Sequence, residues 1–297
     1  MIAAAGIRPP IFLVLLGSSW GLYFSLLKIA ALSGISYVGI ITLTTLGVGL
    51  GMIAIALLRG RKPAFGRRDQ GFYLVCALTG YLVPMIFELL VIAHMPASLL
   101  TLIVSMAPVA TLLIAWLFRA DRIDLPRVLG VALGAVSIFA ILLPDAHSRE
   151  LVAWRWLLLA GLVPVSYAIH HNFSSRYWPK GSDSYQVACG EAIYASLLLL
   201  SFSAFHWNWQ DLQAWNRGHA AILVMAAISL VDIYIYFELI RVKGPIYCSH
   251  ANYFMVVSGV FWGMLLFAER PSPMMWSSAL LLMLSLYLIG YRRAGRG

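Results

Sequence analysis

The sequence predicts an all-α membrane protein of ten transmembrane helices, arranged as two inverted five-helix repeats with both termini in the cytoplasm. Three observations support this prediction: few charged residues, many long apolar runs, and motifs that recur in the two halves of the chain. Of 297 residues, 61% are apolar and only 11% are charged, whereas a soluble domain carries about 25% charged residues. So few charges cannot cover a water-facing surface, and most of the surface is expected to face lipid.

Ten apolar runs are each long enough to form a membrane-spanning helix, which needs about 20 residues. Helices are expected because they satisfy their backbone hydrogen bonds internally. The joining loops are mostly short, so no separate soluble domain is expected. No cleavable targeting segment is recognisable, and the three cysteines fall inside apolar runs. The runs lie near 11–32, 37–58, 71–94, 96–118, 127–144, 155–175, 185–206, 219–241, 245–267 and 273–291.

The distribution of lysine and arginine predicts the orientation. With the N-terminus placed inside, sixteen of the 21 lysines and arginines fall in cytoplasmic segments. Cytoplasmic loops are typically enriched in these residues, so both termini are predicted to be cytoplasmic. The net charge of +9 is explained by an anionic inner leaflet, and no nucleic-acid partner is expected.

Five short motifs recur in the same order, 147 to 150 residues apart. The predicted repeats span 1–148 and 149–297. Because five helices is an odd number, the second repeat enters the membrane from the opposite side. Inverted repeats are typical of secondary transporters, whose substrate site lies near the midplane between the repeats. The matching pairs are Ser19-Trp20-Gly21 with Ser166-Tyr167-Ala168, Phe87-Glu88 with Phe237-Glu238, Pro96 with Pro245, Leu117-Phe118 with Leu266-Phe267, and Asp121-Arg122 with Glu269-Arg270.

The Ser19-Trp20-Gly21 motif, Ala97-Ser98 with Pro108, and Glu269 resemble the EamA-type drug/metabolite transporter superfamily across nearly the whole chain. Tyr167 departs from the pattern, in which Trp is common. Within the superfamily the chain looks most like bacterial amino-acid exporters, including the aromatic amino acid group. The resemblance implies export of small metabolites across the bacterial inner membrane, without a cofactor.

Ionisable residues inside a membrane helix are costly and are therefore functional candidates. Glu88 and Asp232 qualify most clearly. Glu191 is expected nearer the interface, and Glu238 is expected to pair with Arg241 three residues on. Lys28, near a helix end, either snorkels to the interface or faces the interior.

The histidines offer a second set of polar candidates. His170 and His171 are adjacent, so they point about 100° apart, and at most one is expected to face a cavity. Histidine titrates near neutral pH, which would suit a proton relay. His250 and Asn252 lie just after Pro245. They could bind substrate or bond to a neighbouring helix.

Aromatic residues away from the helix ends complete the predicted site. Their rings can stack on a flat substrate or attract an ammonium group by a cation–π interaction. Interfacial residues such as Trp154 represent the alternative, an aromatic belt. The predicted substrate-binding residues are Trp20, Tyr23, Tyr81, Glu88, Tyr167, Asp232, His250 and Asn252.

The sequence contains no phosphate-binding glycine loop, no metal-ligand spacing and no nucleophile elbow. A transporter without an ATP site must use a gradient of substrate or protons. The predicted partners are therefore a small-molecule substrate, the lipid bilayer and protons. Three alternatives remain: a nucleotide-sugar carrier, which would need midplane Lys or Arg; an intramembrane enzyme; and a membrane scaffold or sensor.

Four pairs of glycines are spaced four residues apart, a spacing that allows close helix packing. We interpret these pairs as contacts within each repeat. The pairs are Gly17/Gly21, Gly47/Gly51, Gly130/Gly134 and Gly259/Gly263.

Overall fold

The computed structural model describes residues 9–60, 63, 66–118, 124–142, 152–206, 208–212 and 215–290. Within these ranges every regular element is a helix, which confirms the all-helical class. The two chain ends that carry the orientation prediction lie outside the described residues, as do Asp121 and Arg122 of the repeat motifs.

Within the described residues, the first half of the chain contains seven α-helices. They are α1 (Pro9–Ala31), α2 (Tyr37–Arg59), α3 (Arg67–Cys76), α4 (Val83–Ile92), α5 (Ala97–Val104), α6 (Ala107–Leu117) and α7 (Leu125–Leu142). A π-helical segment, Ala77–Leu82, makes α3 and α4 one continuous rod.

The second half contributes six α-helices and one short 3₁₀ turn. They are α8 (Trp154–Arg176), α9 (Ser184–His206), α10 (Arg217–Lys243), α11 (Pro245–Ser249), α12 (Ala251–Phe267) and α13 (Pro273–Gly290). The 3₁₀ turn, Trp209–Leu212, precedes α10.

Eight stretches of the described chain are long and apolar enough to span a membrane. The eight begin at residues 10, 37, 67, 97, 184, 217, 247 and 273. The described part of α7 contains a shorter apolar helix, Leu125–Ser137. Helix α8 is 23 residues long but is not among the eight, because polar residues such as His170, His171 and Asn172 lower its hydropathy. Eight spans and one short apolar helix are therefore identified; the count of ten stays a prediction.

The helices of the two halves pack in matched pairs. Helix α1 packs on α12 and α10, and its counterpart α8 packs on α6 and α4. Helix α2 packs on its own counterpart α9, and α7 packs on α13. Exchanging each of these helices for its counterpart in the other half reproduces these main pairings. The two halves therefore share one interlocked interface rather than forming separate bundles.

The glycine pairs lie at the interface between the halves, so the interpretation that they pack within each repeat is wrong. A Cβ on Gly21 of α1 would lie 2.5 Å from the backbone nitrogen of Gly259 on α12. A Cβ on Gly130 of α7 would lie 2.9 Å from the carbonyl oxygen of Ser285 on α13. Sequence spacing reveals that a helix face is flat, but not which helix packs against it.

The rod formed by α3 and α4 changes its hydrogen-bond register where it passes the centre of the protein. Pro84 has no N–H, and its ring clashes with the carbonyl four residues earlier. The π-helical turns relieve this clash, and such turns are frequent at functional sites. The Thr79 carbonyl there accepts a hydrogen bond of 2.8 Å from Ser166 Oγ on α8. A proline in the first half thus creates a polar contact with the second half.

Candidate functional site

A cavity of about 160 Å³ lies between the two halves of the chain. Its wall is made by residues from α1, α4, α5, α6, α8, α9, α10 and α12 and from the π-helical segment. The lining residues are Trp20, Tyr23, Phe24, Gly80, Tyr81, Met85, Glu88, Val104, Ala107, Tyr167, His170, His171, Glu191, Ser229, Asp232, Ile233, Tyr236, Asn252 and Met255.

The first polar group of the cavity is the carboxyl group of Glu88 on α4. Tyr167 of α8 donates a hydrogen bond of 2.9 Å to its Oε1 atom. Glu88 is fully buried, and its Oε2 atom has no hydrogen-bond partner. One acceptor atom of this cavity-lining carboxyl group therefore has no hydrogen-bond partner within the protein.

The second polar group is the carboxyl group of Asp232 on α10. Ser19 Oγ of α1 lies 2.8 Å from Oδ1 and 2.7 Å from Oδ2 of Asp232. Nearby, Ser229 is hydrogen bonded to Tyr81, which lines the same wall from the π-helical segment. Asp232 is 8% exposed, so its main contacts are with the cavity and with α1.

The third polar group is Glu191 on α9, which lies 3.8 Å from His170 of α8 between Oε1 and Nδ1. The expectation that Glu191 lies near the membrane interface is wrong, because it lines the cavity and is 2% exposed. Gly80 provides the necessary space: a Cβ at that position would lie 2.8 Å from Glu191 Oε1. The sequence signal for this burial is Gly80 itself, a residue without a side chain four positions before Pro84.

Both adjacent histidines line the cavity, so the expectation that at most one would do so is wrong. Their ring centroids lie 6.1 Å apart, and each lies 5.5 Å from that of Tyr236. His171 Nδ1 also lies 3.4 Å from Thr111 Oγ1 on α6. The cavity therefore borders more than one face of α8, because adjacent side chains point about 100° apart and both line it.

The cavity wall contains no lysine or arginine among the residues that the structure describes. Lys28 instead forms an ion pair of 3.1 Å with Glu269, and its ammonium lies 4.8 Å from the Phe267 ring centre. Arg241 pairs with Glu238 at 2.9 Å, which confirms the predicted pairing. The described residues also contain no group of three or more His, Cys, Asp or Glu side chains arranged to hold a metal ion.

A model of the EamA-like transporter family matches residues 8–143 and 154–291, once for each half of the chain. The chain belongs to the EamA-like transporter family. Members of this family are membrane transporters of small substrates, so this protein is a multi-pass membrane transporter of that kind. Two adjacent matches to one model confirm that the chain contains two related repeats, as the recurring motifs predict.

Comparison with solved structures agrees with the EamA-like fold. At least 27 chains match. One, described only as "Crystal structure of protein", is 15% identical, covers 93% of this chain and 95% of its own, and has a TM-score of 0.66. An identity this low shows the fold alone. No curated protein matches the chain.

The EamA-like fold brings seven of the eight predicted site residues to one cavity: Trp20, Tyr23, Tyr81, Glu88, Tyr167, Asp232 and Asn252. His250 lies elsewhere. Its Nδ1 lies 3.1 Å from the Tyr247 carbonyl oxygen, and its ring lies between Tyr247 and Tyr253 near Gly290 of α13. The chain turns at His250, between α11 and α12, and this turn directs its side chain away from the cavity. The role of the other seven in binding stays a prediction.

Proposed function

We propose that the protein is a secondary transporter that exports amino acids or similar small amphipathic metabolites across the bacterial inner membrane. The cavity is the substrate site, and access alternates between its two sides. The proposed frame is ten helices in two inverted repeats, 1–148 and 149–297, with cytoplasmic termini. In this arrangement α7 and α8 are the two further spans that bring the total from eight to ten.

The observation that carries this proposal is the composition of the cavity wall. Helices α1 and α4 contribute residues from the first half, and α8, α10 and α12 contribute residues from the second. A site between two repeats can open to either side when the repeats rock against each other. The matched packing of each helix and its counterpart supports two nearly equivalent arrangements.

The size of the cavity supports a small substrate. A cavity of about 150 Å³ holds one benzene ring, and this cavity encloses about 160 Å³. A nucleotide sugar is much larger and is anionic, so it would need basic residues in the wall. The described wall has no lysine or arginine, and we therefore rank that alternative lower.

A proteoliposome assay tests the proposal. Purified protein is reconstituted, the vesicles are loaded with one amino acid, and exchange for labelled solute is followed for a panel of amino acids and small amphipathic metabolites. Saturable exchange above that of protein-free vesicles is the expected result. Absence of exchange for every solute in the panel would contradict export and favour a scaffold or enzyme.

The orientation is tested separately with reporter fusions. Alkaline phosphatase, which is active only outside the cytoplasm, is fused after Gly297 and into the loop that follows α12. We expect an inactive fusion at the C-terminus and an active fusion in the loop. The reverse pattern would contradict the predicted orientation without affecting the family membership.

A further inference from the structure

The described part of the cavity wall carries more carboxyl groups than basic side chains, and its basic side chains are the two histidines His170 and His171. Three carboxyl groups, those of Glu88, Glu191 and Asp232, line the cavity. In the described part of the wall no guanidinium or ammonium group balances them. Two basic side chains elsewhere, Lys28 and Arg241, form ion pairs with Glu269 and Glu238, and neither lines the cavity.

One of these carboxyl groups has an unused acceptor atom. Glu88 is 0% exposed, and its Oε2 makes no hydrogen bond within the protein. A buried polar atom without a partner is rare in native proteins and calls for an explanation. Tyr167 donates to Oε1 and so orients the carboxyl group while leaving Oε2 available. A donor carried by a ligand would satisfy Oε2.

The remainder of the wall suits the apolar part of an organic cation. Trp20 and Tyr236 lie with ring centroids 6.4 Å apart at an interplanar angle of 51°. Tyr23, Tyr81 and Tyr167 line the same cavity. Aromatic faces attract cations, and groups of aromatic rings recognise quaternary ammonium ligands. The wall thus combines negative groups with aromatic faces.

We propose that the cavity selects organic cations, recognising an ammonium group through Glu88 and an aromatic body through the surrounding rings. This inference rests on the proposed transport function and narrows its substrate class. An amino acid would bring a carboxylate as well as an ammonium. That carboxylate would meet three carboxyl groups and, in the described wall, no lysine or arginine, and juxtaposed like charges are unfavourable. A monoamine without a carboxylate avoids this repulsion.

Compounds that share a phenyl ring and differ in charge test this selectivity. They are benzylamine, the permanently charged benzyltrimethylammonium, zwitterionic phenylalanine and anionic phenylacetate. Binding is measured by thermal stabilisation of the full-length protein in detergent, and benzyltrimethylammonium flux is measured in proteoliposomes. We expect both cations to bind at least about tenfold more tightly than phenylalanine, with no binding of phenylacetate.

Two of the results would overturn the inference in different ways. If phenylalanine binds as tightly as benzylamine, the cation preference is wrong while the transport proposal stands. If no cation binds or crosses, the inference is also wrong, and the amino-acid exchange assay then decides whether transport itself survives. Benzyltrimethylammonium flux that is blocked by benzylamine would support both proposals.

The recurrence of the Glu88 motif provides a matched control. Glu88→Gln is expected to weaken cation binding at least about tenfold while changing phenylalanine binding little. Glu238→Gln alters the repeat counterpart, which pairs with Arg241 and does not line the cavity, so cation binding should be unchanged. Equal losses in both variants would overturn the role of Glu88. If Glu88→Gln does not fold, as judged by gel filtration, Tyr167→Phe, which removes the hydrogen bond that orients the Glu88 carboxyl group, is expected to weaken cation binding and serves the same test.

Discussion

Lys28 near the end of α1 forms an ion pair with Glu269, their Nζ and Oε1 atoms lying 3.1 Å apart. Glu269 also accepts hydrogen bonds of 2.8 Å from the backbone nitrogen of Ala97 and 3.2 Å from that of Ser98. These nitrogens belong to the first turn of α5, where the helix dipole favours a carboxylate. One side chain from the second half thus connects two helices of the first half, and both of those helices contribute to the cavity wall.

Removing the charge of Glu269 should destabilise this connection. We expect Glu269→Gln to lower the free energy of unfolding by about 1–2 kcal/mol, the usual cost of losing a helix cap. Lys28→Met removes the ion pair but keeps the cap, so its loss should be smaller. Denaturation of the purified variants in detergent measures both values. A larger loss in Lys28→Met than in Glu269→Gln would show that the ion pair, and not the cap, is the main contribution.

Truncating Trp20 should weaken substrate binding. Its ring forms part of the cavity wall and lies 6.4 Å from the Tyr236 ring. An aromatic contact contributes about 0.5–1.5 kcal/mol beyond area burial, so we expect Trp20→Ala to raise the KM for transport by several-fold to about tenfold. Trp154→Ala is the control, because Trp154 is 73% exposed. Similar KM values for both variants would remove Trp20 from the binding site.

Neutralising Asp232 should separate exchange from proton-driven transport. Embedded carboxyl groups commonly serve as proton relays in transporters, and Asp232 lines the cavity with both carboxyl oxygens within hydrogen-bonding distance of the Ser19 hydroxyl. We expect Asp232→Asn to retain substrate exchange at equal pH while losing acceleration by a pH gradient. Vesicle flux with and without the gradient measures this effect, and Glu238→Gln is the control. A gradient without effect on the unmodified protein would contradict proton coupling altogether.

Adding a methyl group at Gly21 should separate α1 from α12. The new Cβ would lie 2.5 Å from the Gly259 backbone nitrogen, and backbone atoms cannot move as a side chain can. Overpacking of this kind costs about 1–3 kcal/mol, so we expect Gly21→Ala to lower stability and exchange rate together. Gly71→Ala is the control, because a Cβ on Gly71 would meet nothing within 4 Å. Equal stabilities would show that α1 and α12 can separate at little cost.

The helices themselves could be predicted from the sequence to within a few residues. The apolar run expected near 37–58 is α2, Tyr37–Arg59, and the run near 273–291 is α13, Pro273–Gly290. A bilayer imposes requirements of length and apolarity on each span separately. Such requirements are local, so they can be recognised without knowledge of any partner helix. The repeated motifs are also short stretches of sequence that can be recognised without knowledge of the fold. The family model, which matches both halves of the chain, agrees with them.

The candidate site could be predicted only in part. Glu88 and Asp232 were recognisable because an ionisable group in an apolar run is conspicuous, and both line the cavity. Glu191 is equally conspicuous, but its position along α9 suggested an interface. Its burial depends on the space that Gly80 leaves in a different helix. The prediction for His250 is wrong in the opposite sense. It was expected in the site, but the turn after α11 directs its side chain toward α13.

The sequence by itself therefore determined that this is a helical membrane protein with a repeated unit and embedded acidic and aromatic residues. Only the tertiary structure decided which of these residues share a cavity. Glu88 and Glu238 occupy the same motif, yet one faces the cavity with an unpartnered oxygen and the other pairs with Arg241. The physical reason is that the direction of a side chain depends on how its helix is rotated and packed. That rotation is set by contacts between helices far apart in the sequence, such as those joined by the bond from Tyr167 to Glu88.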